Sequence, residues 1–170
     1  MSRRKNPDDV SIHTDGSCWP NPNGPGGWAL VARWKDRQRT RHGFSASTTN
    51  NEMELMGVYH ALLFVAPSSR PLFIYTDSRY VCNCVNKWVD LWRQNGWINS
   101  QGEEVKHREL INDVRRLRDK HRTHNNNNTH IQWTKGHAGN RNNELADRLA
   151  GNARIDQLTD WEEEDYRIIL

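Results

Sequence analysis

The run "PLFIY", Pro71 to Tyr75, is the feature that most restricts what this chain can become. It is short, wholly apolar and bounded by turn formers, as expected of a strand buried on both faces of a sheet. Such a strand needs helices on either side of it. The segments around it supply them, since Leu55, Val58, Leu62 and Val65 recur at three- and four-residue steps before it, one face of a helix opened by the capping residues "TTNN" and closed before Pro67. After it, "SRYVCNCVNKW" reads as helical, Leu110, Val114 and Leu117 mark another helix, "HIQW" a last strand and "NNELADRLAGNA" a last helix.

Ahead of that helix the period is two. "VSIHTD" alternates like a strand and then meets "CWPNPNGPGG", whose prolines and glycines forbid regular structure. "GWALVARW" and "RQRTRHGFSA" follow, separated by "KD", which suits a hairpin. The order is three strands, helix, strand, helices, strand, helix. This predicts an α/β fold, a five-stranded mixed sheet whose first three strands are antiparallel, flanked by helices. No repeat is visible, and "NNNN", Asn125 to Asn128, reads as a surface loop. At 170 residues the chain fits one domain that buries about two-thirds of its unfolded surface.

The three cysteines, Cys18, Cys82 and Cys84, are odd in number and their spacing fits neither a zinc knuckle nor a redox pair. They are read as reduced and structural, which points to an intracellular protein. No run is apolar and long enough to cross a membrane. The formal net charge is +3, but Arg154 to Leu170 holds two basic and six acidic residues, so residues 1 to 153 carry +7. A basic body with an acidic tail suits a polyanionic partner, and equally a merely soluble surface.

The chemistry is suggested by where single acids fall. Asp15 is expected to end the first strand, Asp77 ends the strand after "PLFIY", Glu54 sits in the first turns of the first long helix, and Asp147 lies inside the last. Ligands of open α/β sheets gather at the carboxyl ends of strands, where Asp15 and Asp77 meet if their strands are adjacent and parallel. Two carboxylates about 4 Å apart repel by roughly 4 kcal/mol at an effective dielectric near 20. Four together therefore call for cations, and oxygen-only ligands suit Mg²⁺ or Mn²⁺. Taken singly, each acid is more often a turn residue, a helix-dipole partner or part of a solvated face.

Taken together, "TDGSC", "TTNNEMEL", "TDSRYV", "KGHAGN" and "NELADRLA", in that order, resemble type 1 ribonuclease H over about residues 10 to 155. The resemblance implies a ribonuclease H-like fold and an endonuclease that cuts the RNA strand of RNA–DNA hybrids by two-metal-ion catalysis, leaving 5′-phosphate and 3′-hydroxyl ends. It implies that Asp15, Glu54, Asp77 and Asp147 hold two Mg²⁺ ions, with Mn²⁺ a possible substitute, and that His137 on a glycine-flanked loop assists proton transfer or product departure. The loop "CWPNPNG" resembles the segment that follows the RNA minor groove, and Cys18, Asn21, Asn50 and Asn51 match substrate-contacting positions. Residues 86 to 108 match a protrusion that grips the DNA strand, so Lys87, Trp88 and Arg93 join the substrate-binding set, and Arg79 joins it as a positive charge beside the nucleic-acid face. Trp88 and Trp92 are four apart and share a helix face, which assigns the rings mainly to seating the protrusion.

The protrusion itself is poor in charge, with Lys87, Arg93, Lys106 and Arg108 against Asp90, Glu103 and Glu104 from Lys87 to Arg108. Arg79 stands where a relative has Gln, and Glu52 where Arg or Gln is commoner. Residues 1 to 9 are expected to be a flexible basic N-terminus and 156 to 170 an acidic tail. A free-standing, monomeric, cytoplasmic enzyme is expected, rather than a reverse-transcriptase fragment. The alternatives are another nuclease of the broader superfamily, of integrase or resolvase type, and a hybrid-binding module without catalysis. The second of these predicts loss of at least one acid, and all four positions are acidic.

Overall fold

The computed structural model describes residues 6–160. Its five strands are β1 (Val10–Cys18), β2 (Gly26–Trp34), β3 (Arg37–Ser45), β4 (Leu72–Thr76) and β5 (Thr129–Trp133), in the spatial order β3-β2-β1-β4-β5. β1, β2 and β3 are antiparallel neighbours, while β4 runs parallel to both β1 and β5. The mixed sheet is the one expected, although β1 rather than β4 holds its centre. β4 is nonetheless buried along almost all of its length, because strands flank it on both sides.

The helices are α1 (Asn50–Phe64), α2 (Arg79–Asn83), α3 (Val89–Asn95), α4 (Arg108–His124) and α5 (Arg141–Asp156). Consecutive strand residues face opposite ways, and β2 displays this clearly. A side chain at Gly26 would meet Thr48 and Met53 of the α1 side, and one at Gly27 would meet Ala150 and Arg154 of α5. Hence α1 covers one face and α5 the other, and α4 packs on α1. Ile12, Leu30, Leu55, Leu62, Ile74 and Ile111, all at most 2 % exposed, form the centre of the core.

Local chemistry sets the ends of the elements. The Thr49 hydroxyl caps α1 by accepting from the Glu52 N–H at 3.1 Å, and Ser78 and Asn140 do the same for α2 and α5. α1 ends at Phe64, with Val65 extended and Pro67 shortly after. Gly96 closes α3 in the left-handed conformation, φ 78°.

Two expectations need correction and a third gains detail. The helices read from Ser78 through the tryptophans are α2 and α3, joined by a π turn over Cys84–Trp88, a feature that apolar periodicity does not announce. Asn125 is not surface loop but 6 % exposed; its amide donates to Arg70 O, Asn128 O and Thr129 Oγ1, stitching the end of α4 to β5. Asp15 does not end β1, which continues to Cys18 paired with β2.

The acidic tail from 161 onward and residues 1–5 of the basic N-terminus lie outside the described residues. The first tail residues that are described sit on the edge strand. Asp160 exchanges hydrogen bonds with His42 and approaches its Nδ1 at 3.1 Å, while Thr159 accepts from the Phe44 N–H.

Candidate active site

The site forms where the β1–β4 ladder stops. Its last pair is Thr14 and Thr76, so Asp15 and Asp77 are the next residue of each strand. Two parallel neighbours thus deliver two carboxylates to the same level, as open α/β sheets do. Glu54 comes from the second turn of α1, and it arrives because Gly16 has no side chain. A Cβ there would lie 2.4 Å from the Glu54 nitrogen. The helix therefore presses directly on the strand, and ligand oxygens of Asp15, Glu54 and Asp77 all lie within 4.8 Å of one another.

Burial and crowding make these acids hold protons. Asp15, 5 % exposed, is pushed up to about 7, first by burial and then by the Asp77 charge; the hydrogen bond from the Gly16 N–H, 2.9 Å, opposes this. Burial and then the Asp15 charge raise Glu54 well above the usual carboxylate range. Asp77 is also raised by burial, and His137 acts in the opposite direction. A cluster that resists its own ionisation is one that a divalent cation would relieve, and an all-oxygen donor set fits a hard cation. The residues present therefore fit a bound metal.

Asp147 stands outside that trio. It is exposed on α5, yet its charge is felt by both Asp15 and Asp77. His137 is exposed too, on the loop between β5 and α5, with a left-handed backbone at φ 52°. This loop reaches the acids through Gly136, where a Cβ would sit 2.6 Å from Asp77 Oδ2.

The predicted substrate-contacting residues Cys18, Asn21, Asn50 and Asn51 meet at the start of α1. The Asn50 side-chain carbonyl accepts from the Cys18 N–H at 2.7 Å, and Asn21 Oδ1 accepts from the Asn50 N–H at 3.1 Å. Cys18 itself is buried, its thiol within reach of the Pro20, Gly24 and Thr48 carbonyls. Asn51 lines a groove of about 650 Å³ that runs to Tyr80, Trp88 and Trp92 of the helical protrusion.

In the protrusion the rings of Trp88, Trp92 and Trp97 follow one another in tilted contact, their centroids 5.7 and 6.0 Å apart. Trp97 is buried and the other two pack against the core from the surface, which agrees with a seating role. Lys87 is exposed. Arg93 is held by Asn112 of α4, and Arg79 lies 3.9 Å over the Trp133 ring beside Asp77.

Sequence reasoning passed over several residues that build this site. Thr76 donates toward Glu54 Oε2 at 3.4 Å and accepts from the Ser78 N–H. Trp133 Nε1 donates to the Asp77 carbonyl. Gly16 could have been found, since a glycine directly after the first acid of "TDGSC" marks a close approach.

Fold and site together define a class: mixed-sheet α/β proteins whose parallel strand ends and an adjacent helix present a carboxylate cluster that could bind a metal. The RNase H family model matches residues 7–155. The chain is 42 % identical over 152 residues to a ribonuclease H of Legionella pneumophila, covering 88 % of this chain and 99 % of that protein. To a ribonuclease H of Rhizobium johnstonii it is 42 % identical over 141 residues, covering 83 % and 88 %. Among solved structures, LC9-RNase H1, described as a type 1 RNase H with the type 2 active-site motif, matches with a TM-score of 0.73 and 26 % identity over 94 % of this chain and 77 % of that one. A foamy viral protease-reverse transcriptase in complex with RNA/DNA hybrid matches in fold, TM-score 0.72 at 22 % identity, over 92 % of this chain and 21 % of that one. The chain belongs to the RNase H family, whose members are metal-dependent.

Proposed function

We propose that the protein is an endonuclease that hydrolyses the RNA strand of RNA–DNA hybrids, leaving 5′-phosphate and 3′-hydroxyl ends, with two Mg²⁺ ions and Mn²⁺ as a substitute. The observation that carries this is the convergence of Asp15, Glu54 and Asp77 within 4.8 Å in a chain of this family. Asp15, Glu54, Asp77 and Asp147 would hold the ions, Asp147 serving the attacking water and Glu54 and Asp77 the leaving group. When bound, the ions supply a water activated near neutral pH and offset charge on the leaving oxygen.

The chain's own groups do the rest. His137, on a loop with glycines on either side of it, assists proton transfer or product departure. Asn21, Asn50 and Asn51 offer exposed polar groups to the 2′-hydroxyls that mark RNA, and the buried Cys18 serves this strip through its backbone N–H, which holds the Asn50 side chain. Arg79, Lys87, Trp88 and Arg93 meet the phosphates and sugars of the other strand. The protein works as a monomer in the cytoplasm. Among the described residues, no helix is long and apolar enough to cross a membrane.

The integrase or resolvase reading and the non-catalytic reading are not favoured, since the family match spans residues 7–155 and all four acids are present. Asp15→Asn and Asp77→Asn are expected to remove cleavage of a labelled hybrid in Mg²⁺, by at least about a thousandfold given what a metal contributes, while circular dichroism stays native. His137→Ala slows turnover without removing it. Cleavage by Asp15→Asn at the parent rate, or turnover unchanged in His137→Ala, would refute the corresponding role.

A further inference from the structure

From Arg79 to Asn95 the chain is helical throughout, but the π turn breaks the hydrogen-bond register. The Val89 N–H donates to the carbonyl of Cys84, five residues back, and so passes over that of Val85, four back. A carbonyl bypassed inside a helix needs another donor. Arg115 of α4 provides it, with Nη1 3.0 Å from Val85 O and 3.2 Å from Asp90 Oδ2. Its Nε lies 3.4 Å from Asp119 Oδ2, one turn along α4, and only 15 % of its side chain is exposed. The neighbouring residue of the turn is held as well. Arg118, 4 % exposed, donates to Asn86 Oδ1 at 3.2 Å, and Asn86 in turn donates to Ile131 O of β5 at 2.8 Å.

One residue added to a helix rotates everything beyond it by about 100°. Lys87, Trp88, Trp92 and Arg93 all lie in or beyond the turn. With the turn in place, Trp88 meets Tyr80 at 6.4 Å and Trp92 at 5.7 Å along the groove that ends at Asn51. An unbroken α-helix would carry these side chains to a different side of the protrusion.

We propose that Arg115 is a positioning residue: it holds the π turn and thereby fixes which face the protrusion offers to the hybrid. This rests on the reading of the protrusion as a substrate-holding element. A purely structural arginine would affect stability and leave substrate use alone, so the two are separable by kinetics.

The test compares Arg115→Ala, Arg115→Lys and Asp90→Asn with the parent in steady-state hybrid cleavage, together with near-ultraviolet circular dichroism of the coupled tryptophans. Arg115→Ala is expected to raise KM about tenfold, the scale of one charge-assisted hydrogen bond, with kcat within about twofold, and to alter the tryptophan spectrum. Arg115→Lys should restore part of the loss, since an ammonium can reach Val85 O without also spanning Asp90 and Asp119. Asp90→Asn should fall between. A folded Arg115→Ala with the parent's KM and spectrum overturns the proposal. If that variant does not fold, parental KM in both Arg115→Lys and Asp90→Asn overturns it. A parent inactive on hybrid would defeat the functional reading instead, and an altered spectrum in Arg115→Ala would then still support the hold on the turn.

Discussion

Asp15 carries the site's electrostatics, because it is the most buried of the acids and touches each of the others through space. In the metal-free fold its proton affinity corresponds to about 7, against an ordinary value of 3.8. Between those values the unfolded chain gives up this proton and the folded chain keeps it, so the contribution of Asp15 to stability falls as pH rises through the window and levels off above it. The total is on the order of 2–4 kcal/mol by single-site linkage. Thermal melts in EDTA should therefore find Asp15→Asn gaining on the parent from about pH 4 to about pH 7. Mg²⁺ should shrink that advantage by stabilising the parent alone, and a difference independent of both pH and metal would refute this account of the cluster. Asp77 and Glu54 were legible in the sequence from their places after a strand and in the first turns of a helix, whereas Asp15, expected at a strand end, lies within β1, which runs on to Cys18. Their partners Thr76 and Trp133 were not, since a hydroxyl or an indole that supports a carboxylate leaves no periodic trace.

The contact of β1 with α1 turns on Gly16, at which any side chain would collide with helix backbone. Gly16→Ala is expected to cost about 1–3 kcal/mol, as overpacking does, and to weaken metal binding by moving Glu54. Calorimetric titration with Mg²⁺ checks this, and unchanged affinity in a folded variant would count against it. The protrusion and the β2–β3 hairpin make a second comparison. The hairpin "RWKDRQRTR" holds far more charge, but Arg33 pairs with Ser11 whereas Asp15 pairs with Ala29. Four residues along the strand put Arg33 roughly 13 Å away from the carboxylates, toward the opposite end of the sheet. Lys87→Gln should therefore flatten the salt dependence of hybrid affinity by about one unit of slope, and Lys35→Gln by about none. Equal effects at both would contradict the assignment. The hairpin and its two-residue turn could be read in the sequence; which end of the sheet it occupies depends on register, which only pairing reveals.

For the whole molecule, the order of elements and the side of the sheet that carries chemistry followed from period changes and from "PLFIY", because burial on two faces leaves few ways to cover a strand. The π turn, the buried Asn125 and the arginines of α4 did not follow. Each answers a backbone group left over by tertiary packing, and no local pattern encodes that. One carboxylate cluster, fed by two parallel strands and a helix, makes this chain a metal-dependent nuclease for RNA–DNA hybrid. The most direct measurement is cleavage of a labelled hybrid beside RNA duplex, DNA duplex and single-stranded RNA, each with Mg²⁺ and with EDTA. RNA-strand cuts are expected in the hybrid alone, leaving 5′-phosphates and abolished by EDTA. Intact hybrid in Mg²⁺, or cutting that EDTA leaves untouched, would contradict this.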